Sequence, residues 1–185
     1  MQLSTFKRDI QRRETARIRR EKDIPAVIYS PGKEAEIITV KGDEFRAILR
    51  KMKQGLLPTT VFSLQLDKKE RKAIVKEIQY DVTTYDVIHL DFQELFDNVP
   101  VNVNVPIQCV GVADCVGVKL GGFLRQVIRF VKVNCLPKDI PQEFSIDVKD
   151  LGIHQSRRLK DLSLPKGVKP LASLNEVVVA ISKRQ

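Results

Sequence analysis

The residues of this sequence that could carry chemistry begin with a histidine and an aspartate on one predicted strand. His89 and Asp91 are two positions apart, so both side chains project from the same face of a strand and could form an acid–base pair. The sequence around them supplies no nucleophile, nucleotide-binding loop or second catalytic carboxylate by motif. We therefore expect no catalytic residues and no enzymatic activity, and we expect this pair to have a structural or a binding role.

Residue types that hold metals or phosphates also lack the required spacing. The two histidines, His89 and His154, form no HExxH motif, and the three cysteines lack CxxC spacing. The glycines between Gly111 and Gly122 match neither GxxxxGK[ST] nor GxGxxG, and turns or bulges of a β-domain explain them better. We expect no metal site, no cofactor, and reduced, partly buried thiols.

The strongest binding signal is a basic segment near the start of the chain. Residues 1–22 carry eight basic and three acidic side chains, a net charge of 8 − 3 = +5, whereas the whole chain has a net charge of +9. Most of these basic residues are arginines, whose planar guanidinium donates paired hydrogen bonds to phosphates and stacks on exposed bases. The apolar positions Phe6, Ile10 and Ile18 are too sparse for a stable packing stripe. A loop or short helix ordered by a polyanion explains Lys7 to Lys22 better than a solvated charged helix.

Short alternating or β-branched runs between turn signals predict six strands in the first half of the chain. They are Leu3–Lys7, Pro25–Tyr29, Ile37–Val40, Val61–Leu66, Arg71–Gln79 and Val87–Phe92. Six short strands suit a small barrel. One helix interrupts them, with Asp43 as its N-cap and Gly55 just beyond its end, because apolar residues recur at i, i+3, i+4 and i+7 at Phe45, Ile48, Leu49 and Met52. We expect this helix to cover one opening or face of the barrel.

The pattern changes between Glu94 and Pro100, where we place a domain boundary. Residues 1–94 are expected to form the barrel domain and residues 95–185 a second β-rich domain, since two domains of about 90 residues each fit the usual size range. Valines alternate with other residues from Val99 to Val105, which predicts a strand. Further strands are predicted at Phe123–Cys135, Phe144–Val148 and Glu176–Ser182. The expected fold class is mainly β, a six-stranded barrel with one or more helices followed by this second domain.

Composition and hydropathy indicate a folded protein away from membranes. Hydrophobic residues make up 43% of the chain and charged residues 30%, which is ordinary for a globular protein. No apolar run approaches the roughly 18 residues needed to span a bilayer, and the N-terminus lacks the apolar region of a secretory signal. We expect a cytoplasmic protein with no membrane contact.

Several sequence pieces, in order along nearly the whole chain, resemble one family. In the first half they are TARIRREKDIPAVIYS from Thr15 to Ser30, Lys76, Gln79, and HLDFQ from His89 to Gln93. In the second half they are VPI from Val105, the pair Gly121 and Gly122, CLPKDIP from Cys135, DVKDLGI, DLSLPKGV and EVVVAI. They resemble the bacterial large-subunit ribosomal proteins of the L25 family that bind 5S ribosomal RNA, in the long two-domain form often called the general stress protein CTC form.

The resemblance implies a barrel that docks on a bent, non-Watson–Crick region of 5S RNA and stabilises it within the large ribosomal subunit. It implies RNA contacts at Lys7, Arg17, Arg19, Tyr29, Lys76, Gln79, His89 and Asp91. We expect Arg12, Arg13 and Arg20 to give electrostatic support, and a neighbouring ribosomal protein is a further candidate partner, through the second domain. Off the ribosome we expect a monomer.

This chain departs from the family pattern G-x-x-R-R-L-R at two positions. Arg13 replaces the glycine and Ala16 replaces the first arginine, so one contact is absent and we expect Arg17 and Arg19 to provide the main grip. Lys76 and Gln79 are three positions apart, so on a regular strand they point to opposite faces. Both can meet RNA only if a bulge or turn intervenes.

Some alternatives stay open at this point. Tyr29 could be a polar contact or a half-buried strand tyrosine. The protein could instead be a protein-interaction module, whose second domain binds a neighbouring ribosomal protein or a stress factor. It could also be an enzyme that acts on RNA through His89 and Asp91.

Overall fold

The computed structural model describes residues 1–8, 12–53, 55–66, 69–165 and 167–183, apart from the side chains of Arg12, Arg13 and Lys69. The chain forms two compact units, Met1–Val99 and Pro100–Gln185. The fold is mainly β, with a closed six-stranded barrel in the first unit and further sheets in the second, which confirms the predicted fold class. Within the described ranges, no helix is long and apolar enough to cross a membrane.

The first unit consists of a barrel and two α-helices. Its strands are β1 (Gln2–Lys7), β2 (Ile24–Tyr29), β3 (Glu36–Val40), β4 (Val61–Leu66), β5 (Lys69–Tyr80) and β6 (Val87–Glu94). The helices are α1 (Arg12–Arg20) and α2 (Gly42–Lys51), and a 3-10 turn spans Leu57–Thr59. The barrel order is β1-β3-β2-β6-β5-β4, with parallel pairing of β1 to β4 and of β2 to β6. All six predicted strands are confirmed within three residues at each end.

Alternate residues of the strands fill the barrel with one apolar core. Ala26 and Ile28 of β2 and Leu90 and Phe92 of β6 belong to it, as does Phe45 of α2. The Phe45 ring centroid lies 6.3 Å from that of Phe62, which lies 6.2 Å from that of Phe92. Because α2 contributes a fully buried ring to this core, it covers the barrel as predicted.

The start of α2 differs from the prediction. Lys41 is the N-cap residue and makes no side-chain cap hydrogen bond. The cap comes from Asp23, whose Oδ1 accepts a hydrogen bond from the Gly42 N–H at 3.1 Å and whose Oδ2 pairs with Lys41 Nζ at 2.8 Å. Asp43 lies in the first turn and pairs with Arg46 at 2.8 Å. The prediction of Asp43 as the N-cap was wrong, because a residue distant in sequence supplies the cap.

The turn after α1 lies directly against the start of α2. The Asp23 N–H donates to the Ile18 carbonyl and the Lys22 N–H donates to the Arg19 carbonyl, both at 3.1 Å, which are the two bonds of a Schellman motif. Lys22 takes the left-handed position of that motif, with φ of 62°. A Cβ on Gly42 would lie 1.9 Å from the Lys22 carbonyl oxygen, so only glycine fits there.

The second unit contains a four-stranded and a three-stranded sheet. The first has the order β10-β7-β9-β12 and the second β11-β13-β8. The strands are β7 (Val101–Val110), β8 (Gly122–Gln126), β9 (Phe130–Cys135), β10 (Phe144–Asp147), β11 (Ser156–Arg158), β12 (Lys169–Pro170) and β13 (Val177–Lys183). A short helix, α3 (Val116–Lys119), precedes β8, and three 3-10 turns span Val112–Asp114, Pro137–Asp139 and Leu159–Asp161.

The continuous strand predicted from Phe123 to Cys135 was wrong. β8 and β9 belong to different sheets, because the chain crosses from one sheet to the other between them. At the crossing, the N–H groups of Val127 and Ile128 both donate to the carbonyl of Val178. An apolar pair at the crossing looks like strand interior in the sequence, which hides the break.

Replacing Asp23 with alanine tests the cap of α2. The change removes the acceptor of the Gly42 N–H and the ion pair with Lys41, and loss of a cap costs about 1 kcal/mol. We expect the free energy of unfolding, measured with urea, to fall by about that amount. Asp23→Asn keeps an oxygen for the Gly42 N–H and loses only the ion pair, so it should cost clearly less. Equal losses in the two variants would contradict the assignment.

Candidate nucleic-acid interface

Helix α1 presents exposed arginines on a well-anchored support. Ile18 is 6% exposed, and the helix packs against β2. The side chains of Arg17, Arg19 and Arg20 are exposed, and they lie in the last turn, where the helix dipole favours positive charge. Within this basic segment, Arg12–Arg20 therefore forms a short helix, one of the two predicted forms, in which Ile18 is buried. The side chains of Arg12 and Arg13, predicted as electrostatic support, lie outside the described residues.

Weak ion pairing leaves the arginines of α1 available to bind an anion. Arg17 Nε lies 3.6 Å from a carboxylate oxygen of Glu21, and both side chains are well exposed. Such exposed pairs are worth little, so a phosphate can displace the carboxylate. Arg8 is different, because it donates hydrogen bonds to Thr15 Oγ1 at 2.8 Å and to the Ile38 carbonyl at 3.3 Å. It ties α1 to the barrel.

Polar side chains form a row on the outer face of three neighbouring strands, β2, β6 and β5. Tyr29 of β2 and His89 and Asp91 of β6 alternate with core residues and so point outward. Gln79 of β5 is exposed and is the register partner of His89. Tyr29 is 46% exposed, so it belongs to the surface and not to a half-buried packing position. We call these four residues the polar row.

Asp91 connects the members of the polar row. Its Oδ2 accepts a weak hydrogen bond from the Tyr29 hydroxyl at 3.5 Å, and its Oδ1 lies 2.8 Å from Nδ1 of His89. Among the described residues Nδ1 has no hydrogen-bond partner of good geometry, so the short distance is a close approach that becomes an ion pair only when His89 is protonated. The Asp91 charge is the main cause that raises the pKa of Tyr29 above its ordinary value. The hydroxyl therefore keeps its proton and remains a donor.

A β-bulge brings Lys76 and Gln79 to the same side of the sheet. Val75 pairs with Phe92 and Glu77 pairs with Asp91, so Lys76 is the extra residue. Lys76, Glu77 and Gln79 are all exposed. The bulge that was predicted as necessary for Lys76 and Gln79 to face the same side is therefore present.

Arg19 lies near the start of β6, the strand that carries His89 and Asp91, whereas Lys7 lies elsewhere. Arg19 lines a groove of about 450 Å³ together with Val87 and Ile88, which directly precede His89. Lys7 is exposed at the end of β1, with β3 between it and β2. It lines a separate groove beside Glu14, near the start of α1. The predicted RNA-contacting residues thus lie near both ends of α1.

Several residues of this surface were missed by reasoning from the sequence. Arg46 and Arg50 of α2 line the same groove as Arg19. Their i, i+4 spacing on the polar side of an amphipathic helix could have revealed them. Glu77 adds a second carboxylate opposite Asp91, which only the bulge makes visible.

The interface carries no metal chemistry in the part of the chain that the structure describes. No group of three or more histidine, cysteine, aspartate or glutamate side chains there could hold a metal ion. Cys109, Cys115 and Cys135 are free thiols, and the last two are buried. The surface therefore consists of cations, amide, imidazole and phenol groups, and carboxylates, which suits binding by charge and hydrogen bonds.

Comparison with known proteins identifies the family of the chain. Residues 3–92 match the Ribosomal L25p family, and residues 100–185 match the C-terminal domain of ribosomal protein TL5. A Chlamydia trachomatis serovar L2 protein named large ribosomal subunit protein bL25 is 49% identical over 181 residues, covering 95% of this chain and 98% of the relative. Its namesake in Chlamydia pneumoniae is 49% identical over 168 residues, covering 91% of each chain. The chain belongs to the ribosomal L25p family.

Membership in the L25p family confirms the resemblance seen in the sequence motifs. It makes the chain a structural ribosomal protein and not an enzyme, so the RNA-acting enzyme considered above is wrong. The region that matches the L25p family, residues 3–92, contains α1 and the whole polar row.

The pKa of Tyr29 tests the link through Asp91. In Asp91→Asn the charge that raises this pKa is gone, so we expect the pKa of Tyr29 to fall toward its ordinary value, as measured by an NMR titration of the tyrosine ring. Glu77→Gln is the control, because the Glu77 charge raises this pKa less than the Asp91 charge does and its removal should move the pKa less. A Tyr29 pKa that is the same in wild type and Asp91→Asn would contradict the contact.

Deleting Lys76 tests the bulge. Without it, Val75 and Glu77 become neighbours that alternate correctly between core and surface, so the free energy of unfolding should change by less than about 1 kcal/mol. Deleting Ile78 instead moves Gln79 into the core position, and this should cost more than about 2 kcal/mol. Urea unfolding of both variants measures the difference. Similar losses in the two would show that Lys76 is not the extra residue.

Proposed function

We propose that this L25p-family protein is a structural component of the large ribosomal subunit in the cytoplasm, and that its first unit binds 5S ribosomal RNA. The names of its relatives support membership in the large ribosomal subunit, and the family resemblance supports 5S ribosomal RNA as the ligand. The observation that carries the proposal is that Arg19 lines a groove beside the start of β6, so the α1 arginines and the polar row form one surface.

The α1 arginines bind phosphates in this proposal. Arg17, Arg19 and Arg20 project from one short helix, so they can neutralise closely spaced phosphates where an RNA folds tightly. Each guanidinium can donate two parallel hydrogen bonds to a phosphate. Release of condensed counterions then makes the affinity fall as salt rises.

The polar row binds a different part of the RNA. Two carboxylates, Asp91 and Glu77, face each other across β5 and β6, and carboxylates repel phosphates but accept hydrogen bonds from amino and hydroxyl groups. Together with the Gln79 amide and the Tyr29 hydroxyl, they suit base edges and 2′-hydroxyls, which the shallow minor groove of RNA displays. The row therefore reads shape and local groups while the helix supplies affinity.

Contacts within the row reduce the entropic cost of binding. Asp91 holds the Tyr29 hydroxyl and lies beside the His89 ring before any RNA arrives. Side chains that are already ordered lose less freedom when a ligand binds. These side chains are thus partly pre-ordered before the RNA binds.

The remaining partners stay predictions. We place RNA binding in residues 1–94 and a second domain in residues 95–185. We also expect a neighbouring ribosomal protein as a partner of that second domain, and a monomer off the ribosome. RNA binding should stay with residues 1–94, whereas a pull-down of a ribosomal protein by residues 95–185 would favour an interaction role for the second domain.

Replacing both Arg17 and Arg19 with alanine tests the proposed grip. We expect weaker binding of 5S RNA and a flatter dependence of log affinity on log salt, by roughly 0.7 to 0.9 per lost phosphate contact. The matched control removes two exposed arginines of the second unit, Arg125 and Arg129, and should leave the slope nearly unchanged. Unchanged affinity and slope in a folded Arg17→Ala, Arg19→Ala protein would overturn the assignment.

A further inference from the structure

The turn that joins β5 to β6 is ordered by its own hydrogen bonds. Asp81 Oδ1 accepts hydrogen bonds from the N–H groups of Thr83 at 2.8 Å and Thr84 at 3.1 Å. A hydrogen bond from the Thr83 hydroxyl, together with these two bonds, lowers the pKa of Asp81 to about 2. The Asp81 N–H donates to the Asp86 carbonyl at 2.8 Å, and the Tyr85 N–H donates to the Asp81 carbonyl at 3.0 Å. The hairpin tip is therefore a defined structure.

This ordered tip exposes large apolar side chains. Tyr80 is 49%, Val82 89% and Tyr85 79% exposed. Tyr85 also has a left-handed backbone with φ of 57°, which glycine or asparagine would adopt with less strain. A ring in that position adds nothing to the barrel core, and strained exposed residues of this kind cluster at binding sites.

The groove described above begins at the same tip. Thr84 and Asp86, on either side of Tyr85, line it together with Arg19, Arg46 and Arg50. Lys22 adds a fourth cation to the lining, against the three carboxylates Asp23, Asp81 and Asp86. This excess of positive charge allows the groove to accept an anion beside the exposed ring.

The tip lies directly beyond the polar row on the same two strands. Gln79 and His89 are register partners and Tyr80 pairs with Val87, so Ile88 is an extra residue in the ladder between these pairs. An RNA that lies along the polar row and contacts Arg19 therefore reaches the groove and the tip. Flat aromatic faces beside arginines are the means by which proteins bind unpaired bases and their phosphates.

We propose that the β5–β6 hairpin tip extends the RNA-binding surface, an inference that rests on the proposed function. Tyr85 stacks on an unpaired base of the bound RNA, while Arg50 contacts the adjoining phosphate in the groove. Stacking on an aromatic ring tolerates any base, so this element adds affinity and leaves the choice of RNA to the polar row. Arg46 has a positioning role, because it bonds to the Lys22 carbonyl and to Asp43.

Tyr85→Gly separates stacking from folding. The change removes the ring and relieves the left-handed strain, so thermal stability should be equal to or above that of wild type. Affinity for 5S RNA should fall about fivefold or more, the low end of the range for one stacked base. The salt dependence should not change, because no charge is lost, and Tyr85→Phe should bind like wild type.

Two further variants complete the test. His154→Gly makes the same kind of change at an exposed left-handed residue of the second unit, with φ of 66°, and should leave RNA affinity unchanged. Arg50→Gln should weaken binding and flatten the salt dependence by roughly 0.7 to 0.9.

Each outcome has a distinct meaning. Failure of the wild-type protein to bind 5S RNA overturns the proposed function and this inference with it. If the wild type binds and Tyr85→Gly binds equally well, the stacking role alone is overturned, and the tip is then free to serve a protein partner. A loss in His154→Gly as large as that in Tyr85→Gly would also overturn it.

Discussion

A closed barrel of six strands forces every second residue of each strand into one core, and the positions of the candidate RNA contacts follow from that constraint. Leu90 and Phe92 fill the interior, so His89 and Asp91 between them must face outward. The same alternation places Tyr29 beside them on β2. One extra residue, Lys76, shifts the alternation on β5 by one position. Gln79 therefore faces outward and completes the polar row. The chemistry of the surface is thus a consequence of the packing of the core.

The helices depend on a second constraint, the backbone contact between the end of α1 and the start of α2. Asp23 caps α2, and Gly42 lies too close to the Lys22 carbonyl for any side chain. This contact holds Arg19 of one helix and Arg46 of the other against the same groove. The positive charge of the groove therefore comes from both helices, whereas the sequence shows a basic run only around α1. The proposed RNA-binding groove therefore depends on this turn.

The sequence predicted those parts of the structure that local periodicity determines. All six barrel strands and the core face of α2 follow from spacing alone, because period 2 and period 3.6 are properties of neighbouring residues. The cap of α2 could not be predicted, since Asp23 is nineteen residues away from Gly42. The bulge at Lys76 and the crossing between β8 and β9 depend on partner strands, which a linear pattern does not show. For the candidate site, the charge of the sequence was enough to find the arginine segment, and the family resemblance identified 5S RNA. The place of Arg46 and Arg50 in the groove became visible only in the fold.

We propose that this surface recognises 5S ribosomal RNA and not polyanions in general. A gel shift with the full chain, comparing 5S RNA with a transfer RNA of similar charge at moderate salt, tests it most directly. A surface that combines phosphate contacts with the polar row should keep binding 5S RNA at a salt concentration that releases transfer RNA. Equal affinity for the two RNAs, falling together as salt rises, would show that only charge is recognised and would contradict the account.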